Sequence, residues 1–187
     1  MVQIDIGLGK SGRRAYGFDD VAIVPSRRTR DPEDVDLTWE IDAYRFDLPV
    51  MASAMDGVVS PDSAVAIGKL GGLAVLNLEG LWTRYEDTEA IFNEIASLPP
   101  EKATLRMQEI YLEPIKPELI GQRIREIKSA GVVAAGSLTP QRTTMYLDEV
   151  LKAELDVLVI QGTVVTAEHK SKNHEPLNLK QVIRDLP

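Results

Sequence analysis

No cysteine occurs in this sequence, so disulfides, thiolate metal sites and a cysteine nucleophile are excluded within these residues. Histidine is scarce: His169 and His174 are the only two, both in the polar stretch Glu168–Pro176. With no thiolates nearby they read as exposed loop residues, and no metal is expected. Long apolar runs are missing too, since nothing approaches the roughly 18 residues a membrane span needs. The N-terminus MVQIDIGLGK lacks the basic start and continuous apolar core of a signal peptide. A cytoplasmic protein without membrane association is the expectation.

Positive charge is in deficit. Twenty-one Lys and Arg face 29 Asp and Glu, for a net charge of −8, and such a field repels a polyanion unless basic residues cluster. The one cluster, Arg27-Arg28-Thr29-Arg30, is followed at once by Asp31, Glu33, Asp34 and Asp36, the pattern of a solvated loop. No nucleic-acid partner is expected. Low-complexity segments and solenoid-period repeats are absent as well.

What remains is ordinary globular material, 44% hydrophobic and 27% charged over 187 residues, enough for one domain with a sizeable core. Residues 1–46 form a polar N-terminal extension whose only compact apolar patch, Val21-Ala22-Ile23-Val24-Pro25, predicts a short strand ended by its proline. From residue 47 the pattern changes. Leu48–Ser53 is a short apolar run without alternation, as in a strand buried on both faces of a parallel sheet. Ser60-Pro61-Asp62-Ser63 then supplies an N-cap, a proline at the first helical position and an early acid, predicting a helix over 61–70. Gly71-Gly72 ends it, and Leu73–Leu76 is the second strand.

Helices are predicted over 87–98, stopped by Pro99-Pro100, and over 117–129. A third strand is expected at Val132–Gly136, a helix from Thr139-Pro140 to Lys152, a fourth strand at Leu155–Ile160 and a last helix over 177–186. Strands alternating with helices predict an α/β fold with a parallel sheet, either doubly wound or a barrel. A closed (β/α)8 barrel takes about 250 residues and eight strands, so four units amount to about half of one. Residues 47–187 are therefore expected to be the first half of a barrel, with Leu48–Met51 and Leu155–Ile160 as open edges.

Generic chemistry motifs are few. Gly7-Leu8-Gly9 lacks a preceding strand, and neither a P-loop nor a nucleophile elbow is present. Asn77 and Gln161 fall at strand ends, where barrel enzymes place binding groups, although such residues also simply end a ladder or cap a helix. Ala52-Ser53-Ala54-Met55-Asp56-Gly57 sets small residues, a thioether and a carboxylate directly after a buried strand. A loop lying close against a flat ligand would use these groups, and a loop with Met55 in the core would use them equally well.

Four blocks carry a resemblance: Tyr16-Gly17-Phe18-Asp19-Asp20-Val21-Ala22-Ile23-Val24-Pro25, Asp34-Val35-Asp36-Leu37, Leu48-Pro49-Val50-Met51-Ala52-Ser53-Ala54-Met55-Asp56 and Ala66-Ile67-Gly68-Lys69-Leu70-Gly71-Gly72. In this order they closely resemble the opening of IMP dehydrogenases and GMP reductases. The stretch Glu101–Ala130 is too short for the regulatory CBS pair that most IMP dehydrogenases insert there. The sequence is thus most similar to the CBS-less IMP dehydrogenase-related proteins of actinobacteria.

The resemblance implies a TIM barrel that binds a purine nucleotide monophosphate at its C-terminal face, with Ser53 contacting phosphate or ribose and Met55 packing on the purine. It implies NAD as cofactor near Gln161-Gly162-Thr163, where family members usually carry Asp-Ser-Ser or a similar polar triplet. It also implies a homotetramer and a role in purine, specifically GMP, biosynthesis. The family's catalytic cysteine, phosphate loops, monovalent-cation site and flap would lie beyond Pro187, so no catalytic residue is expected in this chain and residues 1–187 alone should not turn over. Two other readings stay open: a GMP reductase using NADPH, and a non-catalytic nucleotide-binding paralogue, which the departure at Gln161-Gly162-Thr163 motivates.

Overall fold

A computed structural model describes residues 3–25, 27–162 and 177–185. The chain divides into two compact units, Met1–Asp36 and Leu37–Pro187. In the first, β1 (Gln3–Asp5) and β2 (Ser11–Arg13) pair antiparallel with Gln3 opposite Arg13. The turn between them holds Gly7 and Gly9 at φ +87° and +72°, a region that residues with a Cβ enter only at a cost. Short 3-10 turns follow at Phe18–Asp20 and Pro32–Asp34.

The strand expected at Val21–Pro25 does not form. Ile23 and Val24 are 99% and 82% exposed, and no described segment pairs with them. An apolar run becomes a strand only where a ladder partner takes up its N–H and C=O groups, and the sequence offered the run without the partner.

The second unit opens with a hairpin of β3 (Trp39–Ile41) and β4 (Tyr44–Phe46), in which Trp39 faces Phe46. Their rings stack at 4.7 Å between centroids. Next come β5 (Met51–Ala52), α1 (Pro61–Lys69), β6 (Leu73–Asn77), α2 (Glu89–Ser97), α3 (Pro100–Ile110), α4 (Pro117–Ser129), β7 (Ala135–Leu138), α5 (Pro140–Lys152), β8 (Val157–Ile160) and α6 (Leu179–Asp185). Strands β5 to β8 form one parallel sheet in the order β5-β6-β7-β8. A doubly wound sheet reverses its strand order at a switch point, and these four strands contain no reversal.

Local chemistry explains most of these boundaries. Ser60 caps α1 by accepting from Ser63 N at 3.0 Å while Ser63 Oγ accepts from Ser60 N at 2.8 Å, and Pro61 fills the first helical position. The first core strand is shorter than 48–53 because Pro49 has no N–H to donate, and regular pairing begins at Met51. The third begins at Ala135 rather than Val132: Ala134 N is taken by Asp156 Oδ2 at 2.8 Å, and the ladder starts after it. Helix α3 was hidden by Pro99-Pro100. That pair ends α2, but Pro100 also serves as the first residue of the next helix, where its missing N–H costs nothing.

Strand alternation sorts the sheet into two faces. Ala74, Leu76, Leu78, Ala134 and Leu138 pack against Ala64 of α1, Ile120, Ile124 and Ile127 of α4, and Tyr146 and Val150 of α5. Leu73, Val75 and Ala135 point the other way and are covered at one end by Trp39, Ile41, Tyr44 and Phe46 of the hairpin. Each fully buried Ile or Leu contributes about 1.5–3 kcal/mol. The hairpin therefore plugs one end of the inner face and leaves the other, carboxyl end, open for the groups described next.

Candidate functional site at the carboxyl ends of the strands

The inner face continues past the apolar layer into polar residues. Asn77 at the end of β6 is registered against Ser137 on β7, and Ser137 against Val159 on β8. Gln161 extends that ladder by one residue, its N–H donating to Leu138 O at 2.9 Å. Period-two alternation thus sends Asn77, Ser137 and Gln161 to the same side of the sheet as Val75, Ala135 and Val159.

A cavity of about 640 Å³ opens there, with Ala54, Asn77, Ser137 and Gln161 among its lining and Arg84 and Tyr111 joining from the loops. Ser137 is 4% exposed, yet among the described residues its hydroxyl has no hydrogen-bond partner. The Gln161 amide has none either, and Asn77 uses only Oδ1, which accepts from Glu79 N at 3.1 Å. Of the three only Ser137 is buried, Asn77 being half-buried and Gln161 exposed, and their convergence gives the cavity a polar edge open to a ligand or to water.

The wall is built from a second network. Asp56 Oδ2 accepts from Leu81 N at 2.7 Å and from the Tyr111 hydroxyl, while Asp56 O accepts from Trp82 Nε1 at 3.3 Å. Burial and the hydrogen bond to Asp56 push the Tyr111 phenol well above the usual tyrosine range, so it remains a donor. The Arg84 guanidinium lies over the Tyr111 ring, 5.4 Å from its centroid, and donates to the carbonyls of Glu79 at 3.1 Å and of Glu113. Glu79 turns its carboxylate to Thr139 N at the start of α5. Arg84 Nε and Asp56 Oδ1 are buried without a partner among the described residues.

The residues singled out from sequence are distributed unequally. Gln161 and Gly162 line the cavity, and Thr163 lies outside the described residues. From the loop after β5 the cavity takes Ala54, while Ser53 and Met55 flank that residue as exposed side chains, Met55 at 54%. Within this chain Met55 is therefore outside the apolar core. Sequence reasoning passed over Ser137, Arg84 and Tyr111. A serine inside an apolar strand was a usable signal for the first, whereas the other two come from outside the sheet and had none. His169 and His174 lie outside the described residues; among those described, no group of three or more His, Asp or Glu could hold a metal ion, and no helix is long and apolar enough to cross a membrane.

Comparison with known proteins identifies a family. Residues 15–180 match the IMP dehydrogenase / GMP reductase domain. An oxidoreductase of uncharacterised function from Mycolicibacterium smegmatis is 44% identical over 98% of this chain and 50% of its own length. Inosine-5'-monophosphate dehydrogenase from Methanocaldococcus jannaschii is 35% identical over 35% of the chain. The crystal structure of an IMP dehydrogenase/GMP reductase-like protein from Corynebacterium glutamicum superposes with a TM-score of 0.86 at 40% identity, covering 98% of this chain and 49% of that one. The chain spans about half the length of the full-length relatives it matches. With the domain match running through both the strand-end loops and the sheet that carries them, this chain belongs to the IMP dehydrogenase / GMP reductase family.

Proposed function

We propose that the full-length protein is a cytoplasmic purine nucleotide oxidoreductase of the IMP dehydrogenase type, converting IMP, NAD and water to XMP and NADH. On this reading residues 47–187 are the first half of a (β/α)8 barrel, and the sequential order β5-β6-β7-β8 supports it. The observation that carries the functional reading is the cavity at the strand ends, where Asn77, Ser137 and Gln161 present unpartnered polar groups beside the loop that holds Ser53 and Met55. Ligands of barrel enzymes bind at this face, in contact with groups from several strands.

The residues fit a division of labour. The exposed Met55 thioether would cover one side of a purine and Ser53 would donate to ribose or phosphate. The Gln161 amide offers a donor and an acceptor together, matching a carboxamide such as that of nicotinamide, and Gly162 leaves backbone free for close approach. NAD, when bound, supplies the acceptor for the hydride leaving the purine. The side chains of this chain bind and orient; none is positioned as a nucleophile, and there is no cysteine. Covalent attack on the purine is assigned to the remainder of the polypeptide, and residues 1–187 alone would not turn over. A homotetramer is part of the same reading.

The test follows the absorbance of reduced nicotinamide in the full-length protein, first with IMP and NAD and then with GMP and NADPH. NADH formation with IMP supports the proposal. NADPH consumption with GMP replaces it by the reductase, and silence in both by a folded protein that still binds IMP replaces it by a non-catalytic nucleotide-binding role.

A further inference from the structure

We propose that Tyr111 is a specificity-determining residue of this cavity, its ring forming the wall on which the flat aromatic heterocycle of a ligand stacks. The inference rests on the nucleotide-binding reading above and deepens it. Asn77, Ser137 and Gln161 can satisfy the polar edge of a planar ring, but a ring also has faces to cover. Tyr111 is the only aromatic side chain among the described residues lining the cavity.

Tyr111 is also held unusually well for a residue at the end of a helix. It is the C-cap of α3, 43% exposed, yet its hydroxyl is bound to Asp56, and Arg84 covers the ring at 5.4 Å. Asp56 is anchored in turn by Leu81 N and by Trp82 Nε1. A free surface tyrosine would lose rotamer freedom on binding, whereas one fixed at two points has already lost it, so its remaining surface is presented to the cavity at little entropic cost. Arg84 is itself part of the lining, so the covered ring and its cation border the cavity together. Were Tyr111 only a brace for Asp56, its hydroxyl would matter and its ring would not.

That contrast defines the experiment. The full-length wild-type protein, Tyr111→Phe and Tyr111→Leu are titrated by calorimetry with IMP, with NAD and with ribose 5-phosphate, which keeps the sugar and phosphate but has no ring base. Tyr111→Phe should bind IMP and NAD within about twofold of wild type, and Tyr111→Leu should lose on the order of tenfold for at least one of them, the scale of stacking on an aromatic side chain. Ribose 5-phosphate affinity should be the same in all three. Loss for IMP alone identifies the purine as the stacked ring, and loss for NAD alone identifies a ring of the dinucleotide.

Equal affinity of wild type and Tyr111→Leu for both ligands overturns the inference and leaves the nucleotide reading intact. A loss in Tyr111→Phe as large as in Tyr111→Leu, or a matching loss for ribose 5-phosphate, assigns the residue to structure instead. If Tyr111→Leu does not fold, Tyr111→Met, which keeps side-chain bulk without an aromatic face, takes its place: a loss on the order of tenfold for IMP or NAD supports the inference and unchanged affinity for both overturns it. A wild-type protein that binds neither IMP nor NAD overturns the nucleotide reading itself, and this inference with it.

Discussion

Lys128 Nζ lies 2.7 Å from Asp156 Oδ1 and ties α4 to the entrance of β8 at the end of the sheet away from the cavity. The same oxygen accepts from the Tyr44 hydroxyl at 3.0 Å, and Oδ2 accepts from Ala134 N at 2.8 Å. One carboxylate therefore joins the hairpin, a helix and two strands. Burial works to raise its pKa, but the bonds from Lys128, Ala134 and Tyr44 outweigh that and hold it below the usual carboxylate range.

A group with a depressed folded pKa stabilises the fold above its unfolded pKa of about 3.9 and loses that contribution as the pH falls through the folded value. Asp156→Asn is expected to cost about 1.5–3 kcal/mol at neutral pH, the range for hydrogen bonds to a charged group. Urea unfolding between pH 7 and pH 3 checks this: the gap between wild type and Asp156→Asn should be constant near neutrality and narrow toward the acid end. A gap that does not change with pH would show that the carboxylate charge is irrelevant.

Gly80 is required by its neighbour. A Cβ built on it would stand 1.9 Å from Asp56 Oδ1, so Gly80→Ala must displace Asp56 from Leu81 N and from Tyr111. A loss of about 1–3 kcal/mol is expected from such overpacking. Thermal unfolding of Gly80→Ala, Asp56→Ala and the double variant should show strong non-additivity, because both changes break the same contacts.

Ser137 separates stability from binding. Its hydroxyl bonds to nothing among the described residues, so Ser137→Ala should leave stability within about 0.5 kcal/mol of wild type or raise it, while weakening IMP or NAD binding several-fold in the full-length protein. Calorimetry and urea unfolding on the same preparation read both quantities. A large loss of stability with unchanged binding would assign Ser137 to the core.

Ile124 is 1% exposed in the cluster between α4 and the sheet. Ile124→Ala should cost about 2–5 kcal/mol, as expected for a buried cavity-forming truncation. Equilibrium denaturation measures it, and a cost below about 1 kcal/mol would mean that the neighbouring helices collapse into the space.

The helices from Pro61, Pro117 and Pro140 were legible because each announces itself within a few residues: a proline at the first helical position, and apolar side chains at helical spacing behind it. The four core strands were legible as apolar runs, and Asn77 and Gln161 as the polar residues that ended two of them. Of the missed elements, the first depends on partners distant in sequence and the second on a local ambiguity. The hairpin of β3 and β4 exists because Phe46 and Trp39 have a sheet face to cover, and α3 was obscured by a proline pair that both stops and starts a helix.

By itself, then, the sequence determined the alternation of strands and helices, the parallel sheet and the family, since periodicity, capping and ordered motif blocks act over short stretches of chain. Only the tertiary structure decided that Val21–Pro25 has no ladder partner, that Ser137 faces the same cavity as Asn77 and Gln161, and that Tyr111 meets Asp56 and Arg84 above it. Those facts depend on strand register and on where loops from different units of the sheet converge. No local propensity encodes such distances; they emerge when the buried faces are packed together.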